Sequence, residues 1–308
     1  EQAEPEGFRF DPALVSASAE AFREQLRVIR RHHAPMRFDE LADLLDRGRT
    51  PPKRAVLITF DDGYDDNHRV AFPLLREAGL SAMFFVSTGH IDSGRPYAYD
   101  WLVHMLCVTT APRLVLPELG IDVPMAPSLA ARRSLAAFVL DRMKVLGALE
   151  QQALVERLEV EWGLPSSAGH PDCRPMDWDM VRAMHDGGME IGSHGIDHLM
   201  LAKLPPERMR AEVLNSKRTL EAELGQPVVA ISYPVGGRDA WDAGVLQAAR
   251  DAGYRIGCSY LAGAEPARED GRMAMRRIPV EREMHGAWFE AMLAVPEVFC
   301  YRSRDRHG

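Results

Sequence analysis

The residues Ala55 to Phe60 form an unbroken run of apolar and β-forming side chains that ends on Asp61, Asp62 and Gly63. A run this short, bounded by turn residues, reads as a strand buried on both faces, which is the pattern of a parallel sheet covered by helices. Helical spacing follows over Val70 to Ala78 and stops at Gly79, and a second apolar strand is expected at Ala82 to Val86. A β-α-β unit therefore lies early in the chain, and such units build α/β sheets.

The rest of the chain repeats this alternation with one interruption. Upstream, Ala17 to Arg31 and Phe38 to Leu45 carry apolar residues at helical spacing, and Gly48 to Pro52 break the pattern before the strand. Downstream, helices are expected at Asp177–Asp186, Pro206–Glu223, Ala243–Ala252 and Ala287–Leu293. Strands are expected between them at Met189–Ser193, Val228–Tyr233, Arg255–Ser259 and Arg277–Val280. The interruption, about Asp92 to Pro175, holds three predicted helices, near Tyr99–Val108, Leu129–Leu146 and Gln151–Trp162, joined by Pro-rich connectors. The expectation is one domain over residues 1–308, a mostly parallel sheet with a helical insertion at about 92–175.

Charge and cysteine usage narrow the partners. A net charge of −8 argues against nucleic acid, which needs a basic face. Cys107, Cys173, Cys258 and Cys300 are scattered and form no CxxC pair, so unpaired thiols are the simpler reading, and they lean towards a cytoplasmic location with a periplasmic one left open. No stretch is apolar enough to span a membrane, and Glu1 to Gly7 has no apolar core of a signal peptide.

Three polar clusters follow predicted strands, at the strand ends where α/β folds place ligands: Asp61-Asp62-Gly63, His194 with His198, and Tyr233 to Gly237. Each has an ordinary explanation by itself, since Asp before Gly is turn or capping chemistry and many HxxxH pairs are coincidental. On a helical turn, histidines four apart project from one face and can share a metal. Together, one carboxylate and two imidazoles make a facial ligand set that leaves positions for water and substrate, while the second carboxylate can serve as a base. Such a set suits one divalent ion, zinc by default, and also accepts iron, cobalt, nickel or manganese.

These clusters resemble the polysaccharide deacetylase family, also called the NodB-homology family or carbohydrate esterase family four. Thr59 to Gly63 match its TFDDG motif, Ser193 to His198 resemble its His-Ser/Thr-x-x-His motif, and Tyr233, Pro234 and Gly236 resemble its Pro-x-Gly motif. The likeness runs from about Phe10 to Met292 and implies a distorted (β/α) barrel that removes N-acetyl groups from an amino-sugar glycan. It implies Asp61 as the catalytic base and Asp62, His194 and His198 as metal ligands. The backbone N–H of Val235, after Pro234, is the candidate donor to the oxyanion.

Three departures from the family pattern stand out. Gly195 replaces the hydroxyl residue after the first histidine, so a supporting hydrogen bond must come from elsewhere. Ser232 stands where many members carry an arginine that holds the base, with Arg238, Arg276 and Arg277 as candidates to replace it. No Leu-x-His occurs near the C-terminus, which leaves His285, or Asp61 returning its own proton, to protonate the leaving amine. Tyr64, Tyr233, Trp178 and Trp241 could offer stacking faces for sugar rings. Two other readings share these residues: a catalytically silent barrel that binds glycan or a protein partner, and a metal amidohydrolase acting on small cyclic amides.

Overall fold

A computed structural model describes residues 8–264, 268, 271–282 and 284–299. Cys300 and the segment Glu1 to Gly7 lie outside the described residues. Two compact units divide the chain. One comprises the residues up to Leu14 and Gly94–Arg174, the other Val15–Ser93 and the residues from Pro175 onward.

In chain order the elements are α1 (Ala19–His32), β1 (Ala34–Pro35), α2 (Phe38–Asp46), β2 (Ala55–Val56), β3 (Thr59–Phe60), α3 (Phe72–Ala78), β4 (Met83–Val86), α4 (Thr88–Ser93), α5 (Ala98–Val108), β5 (Arg113–Leu116), β6 (Ile121–Pro124), α6 (Leu129–Met143), α7 (Ala148–Trp162), α8 (Trp178–Asp186), β7 (Glu190–Ser193), α9 (Pro206–Leu224), β8 (Ala230–Ser232), α10 (Ala243–Asp251), β9 (Ile256–Ala262), β10 (Met275–Arg277) and α11 (Gly286–Ala294). Helix starts follow local chemistry. Ser18, Asp177 and Asp242 cap α1, α8 and α10 by accepting a backbone N–H with their side chains.

The second unit is a distorted (β/α) barrel. Its six strands lie in the order β3-β4-β7-β8-β9-β10, all parallel and in chain order, so each crossover adds the next strand on the same side. The sheet stays open among the described residues, because β3 and β10 each have only one neighbour in it. The interior strands β4, β7 and β8 are buried throughout. The expected strand Ala55–Phe60 is instead split in two and only half-buried, because its first half pairs with β1 and its second half forms the edge of the sheet beside β4.

The core behind the sheet joins Phe38, Leu41 and Leu45 of α2 to Met83, Phe85, Ala230, Ile256 and Cys258. Phe38 meets Phe85 edge to face with ring centroids 5.8 Å apart. Buried Glu190, at the start of β7, accepts the backbone N–H groups of Phe38 and Asp39 at 2.9 and 3.0 Å, which puts a carboxylate at the N-terminus of α2.

The first unit is built around α5, whose residues Trp101 to Leu106 are buried together with Val139 of α6 and Leu154, Val155 and Leu158 of α7. The three expected helices are present here, but the connector between the first two contains an antiparallel hairpin of β5 and β6. Leu114 and Leu116 alternate inward with exposed Arg113 and Val115, a period of two too short to stand out in sequence. Among the described residues, no helix is long and apolar enough to cross a membrane.

Candidate metal centre

Parallel strands bring their C-terminal ends to one rim, so the residues just after β3, β7 and β8 and at the end of β10 converge. Asp62 Oδ1 lies 3.3 Å from His194 Nε2 and 3.2 Å from His198 Nε2. One ligand atom from each of the three falls within 4.8 Å of the others. The two imidazoles meet at 67°, with centroids 4.8 Å apart.

The backbone that presents these groups is unusual. Among the described residues only four other than glycine have positive φ, and three of them are Asp62 (75°), His198 (54°) and Val235 (64°). A β-branched residue such as Val235 rarely adopts that conformation, and strain of this kind clusters at functional sites. Gly63, at φ 83°, allows the turn that follows Asp62: a Cβ there would lie 2.9 Å from Val86 Cγ1. The histidines do not share a helical turn. Residues 194–200 form an irregular loop whose backbone groups bond outward rather than to one another. The left-handed conformations of Gly195 and His198 bring the two rings together where helical spacing was expected to.

The donor set fits a cation. His194 Nδ1 is 2.8 Å from the Ser232 carbonyl oxygen, an acceptor only, so the ring hydrogen belongs on Nδ1. A neutral ring then turns the bare lone pair of Nε2 towards the Asp62 carboxylate, and two acceptors at 3.3 Å repel unless a proton or a metal ion lies between them. Burial opposes ionisation of Asp62, yet the imidazole hydrogen bonds outweigh it and hold the carboxyl well below its usual range. For His194, burial works against the charged form, but the Asp61 and Asp62 carboxylates raise its pKa, so protons compete with metal there.

Asp61 is set apart from this group by a different partner. Arg277 Nη1 and Nη2 donate to its two carboxylate oxygens at 2.7 and 2.6 Å, a bidentate pair. Arg277 also donates to Ser232 Oγ at 3.0 Å and to the Ser259 carbonyl at 2.8 Å, and its guanidinium carbon lies 5.5 Å from the Tyr260 ring centroid. Ser232 Oγ in turn donates to Asp61 Oδ2 at 3.2 Å. Burial pushes the Asp61 pKa up, but the charge of Arg277 prevails and the net direction is down. Of the three candidate arginines, Arg277 holds Asp61, while Arg238 and Arg276 are exposed. The pair bridges the gap where the sheet stays open, from the last strand to the end of β3.

The remaining expected residues divide. The Val235 side chain is 44% exposed, and its N–H has no hydrogen-bond partner among the described residues. His285 is exposed at the N-terminus of α11, and no described hydrogen bond, ion pair or ring contact joins it to the four residues above. Tyr233 is fully buried and donates its hydroxyl to the Met273 carbonyl at 2.7 Å, so it belongs to the core and offers no sugar-stacking face. Trp178 is half-buried and donates its ring N–H to Asp92. Sequence reasoning missed Ser232 as a positive contributor, because a serine inside a strand carries no signal of its own.

Comparison with known proteins follows the same lines. Residues 48–257 match the profile of the family described as polysaccharide deacetylase. The YxkH protein of Bacillus subtilis (strain 168) is 24% identical over 254 residues, which make up 82% of this chain and 61% of that one, so the chain spans under two thirds of this relative's length. Among solved structures, the Streptococcus pyogenes deacetylase PplD in complex with acetate aligns with a TM-score of 0.59 at 18% identity, over 92% of this chain and 90% of that one. IcaB from Ammonifex degensii aligns with a TM-score of 0.54 at 16% identity, covering 92% and 89%. At these identities the two structures establish likeness of fold.

Proposed function

Because this chain belongs to the polysaccharide deacetylase family, we propose that it is a divalent-metal-dependent hydrolase that removes N-acetyl groups from the amino sugars of a glycan. The observation that carries the reading is the pairing of two differently tuned carboxylates at one rim. Asp62 faces two imidazoles, while Asp61 is held by an arginine and a serine. The acetate-bound deacetylase PplD among the structural relatives supports the substrate class.

Asp62, His194 and His198 would hold the ion, zinc by the nature of the donors. When bound there, a divalent ion supplies Lewis acidity that polarises a carbonyl oxygen and acidifies water. Asp61 acts as the base: ionised at neutral pH, it accepts a proton from the attacking water at a carboxylate oxygen, and Arg277 keeps that oxygen in place. The N–H of Val235 donates to the oxygen that gains charge as water adds to the amide carbon. Collapse breaks the carbon–nitrogen bond, and the proton held by Asp61 passes to the departing nitrogen, so acetate and a free amine leave. Asp61 serves both steps in this scheme, because among the described residues no hydrogen bond, ion pair or ring contact joins His285 to the site.

The decisive experiment measures zinc content and acetate release from an N-acetylated oligosaccharide with the same preparation. Stoichiometric zinc with release supports the proposal. Zinc with no release on any N-acetylated glycan would point instead to a silent binding barrel.

A further inference from the structure

We infer that Glu212 is the positioning residue that shapes the loop carrying the two histidines, taking over the support that a hydroxyl side chain at position 195 would give. The inference rests on the reading of Asp62, His194 and His198 as metal ligands.

Glu212 lies on α9 and is fully buried, an expensive place for a carboxylate unless its oxygens are met. Its Oε2 accepts the backbone N–H groups of Ile196 and Asp197 at 2.7 and 3.1 Å. Its Oε1 lies 2.9 Å from the Arg208 guanidinium, an ion pair without hydrogen-bond geometry, and the same guanidinium also holds the Asp197 carboxylate. One buried carboxylate therefore binds two of the three residues that separate His194 from His198.

The opposite side of the loop is held just as completely. Thr88 and Gly89, at the start of α4, donate their N–H groups to the carbonyls of Gly195 and Ile196 at 3.2 and 2.9 Å. Ser87 Oγ donates to the His194 carbonyl, the His194 N–H bonds Val86, and the Gly195 N–H bonds Ser193 Oγ. From His194 to the N–H of Asp197 every backbone donor and acceptor has a partner, so the loop conformation is over-determined. That matters because His198 sits at φ 54°, a conformation its own backbone disfavours.

The glycine fits the same account. Gly195 is at φ 78°, and a Cβ placed on it would lie 3.3 Å from Glu212 Oε2. The space a hydroxyl residue would enter is bordered by the carboxylate that supports the loop from the other direction. Gly195 and Glu212 are in this sense one device.

The test is titration of the metal-free protein with Zn²⁺ by calorimetry, alongside hydrogen exchange at the Ile196 and Asp197 amides and thermal unfolding. Folded Glu212→Ala is expected to bind zinc about 10- to 100-fold more weakly, the usual effect of losing an outer-shell partner, and to exchange both amides faster. Glu212→Gln, whose amide oxygen can still accept both N–H groups, should recover most of the affinity and the protection. A purely structural role predicts a lower melting temperature with unchanged zinc affinity in the folded Glu212→Ala protein, and that result overturns the inference. If Glu212→Ala does not fold, Glu212→Gln decides: wild-type protection with wild-type affinity supports the inference, and lost protection with unchanged affinity overturns it. Wild-type protein that binds no zinc would remove the underlying metal reading, and the inference with it.

Discussion

Replacing Arg277 by Met removes the cation beside Asp61 while leaving an unbranched apolar side chain near Tyr260 and Phe85. The Arg277 and Asp61 side chains are 13% and 20% exposed, so water is poorly placed to replace the two bonds at 2.7 and 2.6 Å. Breaking a buried pair by removing one partner costs about 3–5 kcal/mol. Protonation sets a ceiling on that cost. With an unfolded-state pKa of about 3.9 and about 1.36 kcal/mol per pH unit, a stranded Asp61 can take up a proton for about 4 kcal/mol at pH 7 and about 1.5 kcal/mol at pH 5. Loss of the bond from Arg277 to the Ser259 carbonyl adds about 1 kcal/mol at either pH.

The sign of the pH effect follows from the direction of the shift. In the wild type, burial raises the Asp61 pKa but Arg277 brings the net value down. The stabilisation from the pair is thus present above the unfolded pKa and lost only as pH falls through the lower folded value. Between pH 7 and 5 the wild-type carboxylate stays ionised, whereas the variant is relieved as it takes up a proton. Urea unfolding of chelator-treated protein should show Arg277→Met destabilised by about 4–5 kcal/mol at pH 7 and by about 2.5 kcal/mol at pH 5. Equal destabilisation at both pH values, or less than about 1 kcal/mol at pH 7, would refute the claim that Arg277 holds the charge of Asp61.

Asp61→Asn should keep its zinc by elemental analysis while acetate release falls by at least about 100-fold; release at the wild-type rate would remove the assigned base. His198→Ala should retain no zinc after dialysis. In the wild type, zinc affinity measured by calorimetry should fall on acidification, because the raised pKa of His194 lets protons displace the metal as pH drops through it. Val235→Gly keeps the N–H and relieves the positive φ, so acetate release should persist with stability unchanged or improved by about 1 kcal/mol in urea unfolding. A large loss of turnover would move the role from the amide to the side chain.

Much of the site is legible in the amino-acid sequence, for a local reason. Ala55–Phe60 and Val228–Tyr233 show their strands by runs of mostly apolar residues, Met189–Ser193 shows its strand by its place in the alternation of helices and strands, and parallel strands place whatever follows them on one rim. Asp61, Asp62, His194, His198 and Val235 can therefore be assigned to a common edge by position alone. Their conformations cannot. Helical spacing suggests a helical turn for the histidines, and the loop has none, because Glu212 and the start of α4 satisfy its backbone instead.

Only the tertiary structure decided which arginine holds Asp61, which carboxylate binds the backbone of the loop after His194, and that Tyr233 is core. Each depends on contacts between residues far apart in the chain. Arg277 and Asp61 are separated by 216 positions and meet because the parallel sheet curls until its first and last strands approach each other. Periodicity reports which face of an element is buried, but not which distant side chain completes a charge there. That choice is made when the strands take their order.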